Sequence, residues 1–348
     1  MQATNRKIIN AITDFDSLPL RTEEQIMSTW TEPNNIVVSC CAISFNQELY
    51  IEFALKSMLM QETDFAFEII IRDDASTDNT QEIIRKYQSI YPNIIKPIFE
   101  SENGYRKGVR ARMVAMNKAQ GSYIAPLDCD DYWTRDDKLQ NLVGFLRSNP
   151  DYAMCFHNAV VIDNNSRVIN ENRFVDAQDL TSEDLIIGRS TVFPSFTVFK
   201  NIGFDKCFPS EFNSAKNGDT ITWHLIGFYG PCKYIDNFSA GAFRIHSQGQ
   251  NSGLTNFNKI KNRIITRHAI ITRLRNLKHQ KLKETAFNVV AEYSVRHLMG
   301  LTRSFDIKSV LQTFEYLTKL FGVSFLKLII VGFTLSVKTS LTKKILKK

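Results

Sequence analysis

The chain has 348 residues, of which 43% are apolar and 23% charged, with 15 Gly and nine Pro. Such a length can bury a full core, and the composition excludes a collagen-like, low-complexity or disordered chain. The net charge of +7 is unevenly placed: residues 254–348 hold 19 Lys/Arg against four Asp/Glu. An acidic body that carries chemistry is therefore expected to be joined to a basic region that serves attachment.

Residues 1–35 are polar and mixed, and read as an N-terminal extension with one short helix. They lack the uninterrupted apolar stretch of a cleaved signal peptide, so none is expected. Residues 36–43 form a nearly continuous apolar run, the pattern of a buried parallel strand. Tyr50, Ile51, Ala54, Leu55, Met58 and Leu59 then recur as a helix stripe. Residues 67–71 read as a second strand. Asp78, with Gln81 three residues on, is expected to cap a helix whose apolar face carries Ile83, Ile84, Tyr87 and Tyr91. Residues 94–99 make a third strand, and a helix through Met113, Met116 and Ala119 is expected to end at Gly121. A fourth strand, 123–127, runs into Asp128-Cys129-Asp130-Asp131. This alternation predicts an α/β fold with a mostly parallel sheet and helices on both faces. Ligands on such sheets bind at the carboxyl ends of the strands, where Asp73-Asp74 and the 128–131 run both fall.

The six Cys include no C-x-x-C pair and read as the reduced thiols of an intracellular protein. Asp128, Asp130, Asp131 and Asp136 repel one another unless a cation sits among them. Mg²⁺ and Mn²⁺ take oxygen ligands, commonly one or two carboxylates plus phosphate oxygens. The other reading is a solvated acidic turn that opens the next helix. At the second strand end, a carboxylate of Asp73-Asp74 can accept the imide N–H of uracil, while Ser76, Thr77 and Asp78 cap the following helix.

Five segments carry a family resemblance: Ser44-Phe45-Asn46, Asp73-Asp74-Ala75-Ser76-Thr77-Asp78, Asn103-Gly104, Gly121-Ser122-Tyr123-Ile124 and Leu127-Asp128-Cys129-Asp130-Asp131-Tyr132-Trp133. In this order they resemble the family 2 glycosyltransferases of GT-A fold, bacterial enzymes that build surface polysaccharides. The resemblance covers roughly residues 22–253. It implies that Asp74 binds the base of a nucleotide diphosphate sugar, with Asp73 beside it and Ser44 and Phe45 as the wall. It also implies that Asp130 holds Mn²⁺ or Mg²⁺ against the diphosphate, that Asp128 points toward the ribose and that Asp131 supports the turn. Arg110 or Arg112 is similar in position to a basic residue near the nucleotide, although Met113 stands after Arg112 where the family usually has Asn. Ser195, Phe196 and Thr197 look like the segment lining the acceptor pocket. Asp219 matches the catalytic base, with Gly218 in place of the usual Glu; a helix N-cap is the other reading of Asp219. Arg244 and His246 match an Arg-x-His that supplies a diphosphate contact and a further metal ligand.

The resemblance thus implies a metal-dependent inverting transfer from a nucleotide sugar, expected to be a UDP-sugar, to a glycan or lipid-linked hydroxyl. A nucleotidyltransferase shares the layout but needs a Gly-rich basic loop after the first strand, and residues 44–48 hold neither Gly nor Lys. A non-catalytic nucleotide-sugar-binding protein is the other alternative, and Gly218 is its support. The expected organisation is an extension over 1–35, a GT-A domain over 36–253 and a basic helical region over 254–348. No nucleic acid partner is expected, since the basic region lacks interleaved aromatic platforms. Residues 320–337 are mainly apolar with Lys327 mid-run. Ser324, Lys327, Thr334 and Lys338 fall on one helical stripe, which suits a helix lying on an anionic membrane surface. Packing against the body is the other reading. The expected location is cytoplasmic, peripheral on the inner face of the cell membrane.

Overall fold

The computed structural model describes residues 20–104, 110–190, 192–204, 208–247, 254–304, 306–323, 325–327 and 329–330. These divide into two compact units. One comprises the described residues of 1–182, 191–208 and 225–246; the other comprises those of 183–190, 209–224 and 247–348. The second unit thus takes two segments from within the stretch expected as one continuous domain.

The first unit is built on one mixed sheet. In chain order its elements are α1 (Glu23–Met27), β1 (Ile36–Ser44), α2 (Ile51–Leu59), β2 (Ala66–Asp73), α3 (Thr80–Ile90), β3 (Ile95–Phe99), α4 (Ala111–Met116), β4 (Tyr123–Asp128), β5 (Tyr132–Trp133), α5 (Lys138–Ser148), β6 (Met154–Ile162), β7 (Val168–Asn170), β8 (Thr197–Lys200) and β9 (Cys232–Arg244). The sheet order is β3-β2-β1-β4-β8-β6-β9-β5, with β7 on β6. The strands β3, β2, β1 and β4 are mutually parallel. The strand β8 is antiparallel to both β4 and β6, and β9 runs parallel to β6. This is the predicted α/β architecture. Register then places the chemistry: Ser44 pairs with Asp73 and Ile43 with Asp128, so three strands end at one edge.

The strands β1 and β2 are buried along almost their whole length and mainly apolar, because both of their faces are covered. Val38, Cys40, Ala42, Ile69 and Ile71 pack with Ile51, Ala54, Leu55 and Met58 of α2 in one core. Ile26 and Trp30 belong to the same core, and Trp30 meets Phe67 edge-on at 5.4 Å between ring centres. The described residues of the expected extension are therefore part of the body. Cys40, Cys41, Cys129, Cys155 and Cys232 are free and buried; Cys207 lies outside the described residues.

Two helix ends differ from the sequence pattern. The N-cap of α3 is Asn79, while Asp78 Oδ1 accepts from Thr80 N and Asp78 Oδ2 from Glu48 N. The helix α4 stops at Met116, and Gly121 lies against β1. A Cβ at 121 would stand 2.6 Å from Ser39 N and 2.7 Å from Val38 C, both backbone atoms.

The second unit is helical, with the start of α6 (Gly218–Gly227), then α7 (Asn256–Asn276), α8 (Gln280–Arg303) and α9 (Ile307–Phe321). Ile260, Ile264, Ile271 and Leu274 of α7, Val290 and Leu298 of α8 and Leu317 of α9 are buried. Phe257 meets Tyr316, and His268 meets Phe321. The helix expected over 320–337 is interrupted: α9 ends at Phe321, and Gly322 adopts φ 81°. Helical backbone resumes at Val323. Phe325 and Ile329 are then buried, and Phe325 packs on Phe287 at 4.6 Å. The apolar side of this segment thus faces its own unit. Ser324, Thr334 and Lys338 of the expected polar stripe lie outside the described residues. No described helix is long and apolar enough to cross a membrane.

The contact at Gly121 yields a test. Gly121→Ala should lower the unfolding free energy by about 2–3 kcal/mol, because backbone rather than a mobile side chain must yield. Urea denaturation of the two proteins reads it.

Candidate active site

The loops after β1 and β2 are sewn together by side chains. Asn46 N donates to Ser76 Oγ at 2.8 Å, Gln47 N to Thr80 Oγ1 at 2.8 Å and Thr77 N to Asn46 Oδ1 at 2.9 Å. Asn46 and Ala75 hold positive φ, 53° and 60°, as the two turns require. The Asp-Asp-x-Ser-x-Asp motif is thus largely a device for fixing two loop shapes.

Its two leading carboxylates differ sharply. Asp73 is fully buried and accepts from Ser44 Oγ, Ser76 Oγ, Ser76 N and Gln81 Nε2. Four donors occupy both of its oxygens, so it builds the loop and has little left for a ligand. Asp74 accepts at Oδ1 from Arg72 Nη2 and Gly104 N, both at 2.8 Å, and its backbone N–H donates to Ser44 O. Arg72, itself buried, also bonds Glu100 at 3.0 Å. Phe45 is 40% exposed beside them.

At the end of β4 each acidic group has its own partner. Asp128 Oδ1 meets Arg112 Nη2 at 2.6 Å, and Asp130 Oδ2 meets His246 Nε2 at 2.9 Å. Asp131 is buried and accepts from Arg244 N and Ser195 Oγ. Burial, followed by the charges of Asp130 and Asp128, pushes its pKa well above the usual carboxylate value. Asp136 is exposed.

Arg244 is a clasp. Its Nε donates to Asp130 O, and its Nη1 to Asp163 O, Asn164 O and Ser166 Oγ. Its face lies over Tyr50 at 4.5 Å, and the Tyr50 ring meets His246 edge-on at 5.2 Å. The guanidinium expected on a diphosphate therefore holds the backbone of the acidic turn, with Nη2 its remaining group without a partner.

Ser195, Phe196 and Thr197 are fully buried. Rather than presenting side chains to an acceptor, the segment braces the acidic turn: Ser195 Oγ accepts from Asp128 N, and Ser195 O accepts from Trp133 Nε1 and Lys138 Nζ. Lys138 is wholly buried over the Trp133 ring at 3.7 Å, and burial drives its pKa well below the ordinary lysine value. Asp219 lies in the second unit, in the first turn of α6. The turn before it is fixed where Lys216 N and Asn217 N both donate to Thr266 Oγ1. A Cβ at Gly218 would meet nothing within 4 Å, so a Glu there is sterically open.

Divalent metal suits the Asp130–His246 pair. Two donors bound to one ion at about 2.1 Å and at right angles stand about 3.0 Å apart, close to the 2.9 Å between them. Among the described residues no group of three or more His, Cys, Asp or Glu forms a metal cluster. The remaining ligands would have to come from phosphate and water, as is usual for Mg²⁺.

Arg72, Tyr50 and Lys138 are the site residues that sequence reasoning missed. Arg72, a charge inside an otherwise apolar strand next to two Asp, was a readable signal. Tyr50 and Lys138 sit on apolar helix faces and gave none.

Residues 39–208 match the family model described as glycosyl transferase family 2. An uncharacterized protein of Mycobacterium bovis is 34% identical over 189 residues, 54% of this chain and 52% of that protein. This chain thus spans about half the length of that relative. An uncharacterized glycosyltransferase of Nostoc is 25% identical over 295 residues, 76% of this chain and 87% of its own. Among solved structures, S. aureus TarS 1-349 in complex with UDP-GlcNAc superposes with a TM-score of 0.59 at 19% identity, over 82% of each chain.

The division between Asp73 and Asp74 is testable. Asp73→Ala should cost about 3 kcal/mol of stability, since it strands one buried and three half-buried donor groups; the measurement is chemical denaturation without ligand.

Proposed function

We propose that this chain, which belongs over residues 39–208 to glycosyl transferase family 2, moves a sugar from a nucleotide diphosphate donor to a hydroxyl of a glycan or lipid-linked acceptor in surface polysaccharide synthesis. The observation that carries the reading is the juxtaposition set by strand register. Asp74, a carboxylate suited to a base, and the Asp130–His246 pair, suited to a diphosphate-bound ion, share one sheet edge. UDP is the favoured nucleotide, because the structurally similar TarS was crystallised with UDP and UDP-GlcNAc.

In this reading Asp74 accepts the imide N–H of uracil, and Phe45 lies along the base. Arg112 holds Asp128 toward the ribose. Asp130 and His246 would hold Mn²⁺ or Mg²⁺, which when bound supplies a Lewis acid for the charge that builds on the departing diphosphate. Asp219 accepts the proton of the acceptor hydroxyl as that oxygen attacks the anomeric carbon. Attack on the face opposite the leaving group inverts the configuration. The buried 194–197 segment would shape the acceptor side from behind. The basic second unit, with Ile307, Leu311 and Val323 exposed, would rest on an anionic membrane surface of the cytoplasm, and co-sedimentation with anionic vesicles checks that attachment.

Screening nucleotide sugars for metal-dependent hydrolysis tests the activity and fixes the donor. Asp130→Asn should abolish metal-dependent UDP binding and lower turnover by at least about 100-fold. UDP binding by calorimetry with and without Mn²⁺ reads it, and wild-type metal dependence in the variant removes Asp130 from the site. Asp219→Asn should lower transfer by about 10²–10⁴-fold and leave UDP affinity unchanged, because a base acts in the transition state. Transfer near the wild-type rate would reduce Asp219 to a helix-terminal residue.

A further inference from the structure

Helix α7 is the bed on which the segment leading to Asp219 lies, and these contacts all fall within the second unit. Thr266 of α7 is fully buried, and the bonding capacity of its hydroxyl is used up. It accepts from Lys216 N at 3.0 Å and from Asn217 N at 2.9 Å. It donates to Asn262 O at 2.9 Å, one turn back on its own helix, with Asn217 Oδ1 further off at 3.4 Å. Arg267, the next residue, donates from Nη2 to Gly188 O at 2.8 Å. Gly188 has φ 72°, and a Cβ there would stand 3.1 Å from Thr220 Cγ2. Near the end of α7, Asn276 Nδ2 donates to Glu211 Oε1 at 2.8 Å, and Arg273 lies over the Phe212 ring.

One helix thus holds the chain before Asp219 at Glu211, Phe212, Lys216 and Asn217, and through Gly188 it backs Thr220 just after. Thr266 differs from the other ties. Glu211 and Asn276 are joined by exposed side chains, a link that leaves the main chain free to turn. Thr266 meets the main chain of two consecutive residues, and so sets the direction in which α6 leaves the turn. A valine would fill the same volume, yet it would leave both N–H groups without their acceptor. The hydroxyl therefore serves direction rather than packing. A general base works only within hydrogen-bond reach of its proton, about 2.6–3.2 Å. A misplacement of about 1 Å costs on the order of 100-fold in rate. Asp219 stands in the first turn of α6, directly after the tied amides. That stretch is too short to absorb a change of direction at the turn.

We infer that Thr266 is the positioning residue of the catalytic base: its hydroxyl orients the start of α6, and turnover rather than donor binding depends on it. The inference rests on the reading of Asp219 as that base. It gives the helical unit a part in the chemistry, supplied by a helix beyond the residues that the family model matches.

The test uses the full chain with Mn²⁺ and reads two quantities. One is hydrolysis of UDP-GlcNAc, or of whichever nucleotide sugar the donor screen selects, with water in place of the acceptor hydroxyl. The other is UDP binding by calorimetry. Thr266→Val, and Thr266→Ala likewise, should lower kcat by about 10–100-fold and leave UDP affinity within about twofold of wild type. Thr266→Ser keeps the hydroxyl and should stay within about threefold of the wild-type kcat. In the Asp219→Asn background Thr266→Val should change kcat by less than about twofold, because a residue acting through Asp219 has nothing left to position. Wild-type turnover in Thr266→Val overturns the inference, as does an equal loss in Thr266→Ser or an undiminished effect in the Asp219→Asn background. A parallel loss of UDP affinity overturns it too, since Thr266 would then support the fold at large. Wild-type turnover in Asp219→Asn alone sinks the base reading, and the inference with it. A wild-type chain that hydrolyses no nucleotide sugar sinks the transferase reading. Amide hydrogen exchange at residues 216–217, expected to quicken about 10-fold or more in Thr266→Val, then answers for the tie itself.

Discussion

Parallel register brings five aspartates to one sheet edge, and the need to keep them together governs the rest of the first unit. Ser44 stands opposite Asp73 and Ile43 opposite Asp128, so the acids of two loops cannot spread apart without breaking strand pairs. Like charges so close are tolerated only if each is neutralised or solvated separately. The fold answers with a different partner for each: four neutral donors on Asp73, Arg72 on Asp74, Arg112 on Asp128, His246 on Asp130 and the Arg244 backbone on Asp131. The charged partners Arg72 and Arg112 come from β2 and α4, and Arg244 and His246 from the end of β9 and just beyond it. The length of β9, which runs from Cys232 to Arg244, is what brings Arg244 alongside the turn.

The differences among these partners sort the aspartates by what they can still do. A carboxylate with both oxygens filled by neutral donors is part of the scaffold, and removing it exposes the donors to an uncompensated interior. A carboxylate bonded through one oxygen keeps acceptor capacity on the other. Asp73 belongs to the first kind, whereas Asp130 belongs to the second, with His246 on Oδ2. Arg72 adds a constraint of its own: buried between Asp74 and Glu100, it ties the end of β2 to the residue just after β3. The Asp74 carboxylate is thereby positioned by a buried charge on the strand just before it.

The alternation of strands and helices through residue 128 was legible because strands covered on both faces are mainly apolar, as β1 and β2 are. The positions of the acidic groups at strand ends followed from that alternation. What could not be read was the division of labour within a motif. Asp73 and Asp74 are adjacent and chemically identical, and only the donors Ser76 and Gln81 on one side and Arg72 on the other distinguish them. Ser195 looked like pocket lining because its segment was compared by type, but its contacts with Trp133 and Lys138 lie about 60 residues away in sequence. Gly322 was masked by the apolar run around it: hydropathy averages over a residue whose φ of 81° ends a helix outright. The residues preceding β1 looked like an extension because their two anchors, Ile26 and Trp30, are isolated among polar neighbours.

Arg244 shows how the site stays rigid without being neutralised. A guanidinium close to Asp130 could have paired with its carboxylate and removed its charge. Instead it donates to the main-chain carbonyls of Asp130, Asp163 and Asn164, while Asp131 accepts from its backbone N–H. Carbonyl oxygens carry no net charge, so the turn is fixed without the guanidinium taking up the side chain of Asp130, whose Oδ2 meets His246. A lysine, with one flexible point of donation, could not reach acceptors on both sides of the turn in one plane. Tyr50 completes the arrangement by standing between the Arg244 face and the His246 edge. The imidazole is thus held on Asp130 by packing rather than by a second hydrogen bond, for its Nδ1 has no partner. At Asp130, therefore, rigidity is drawn from main-chain carbonyls rather than from an arginine on the carboxylate.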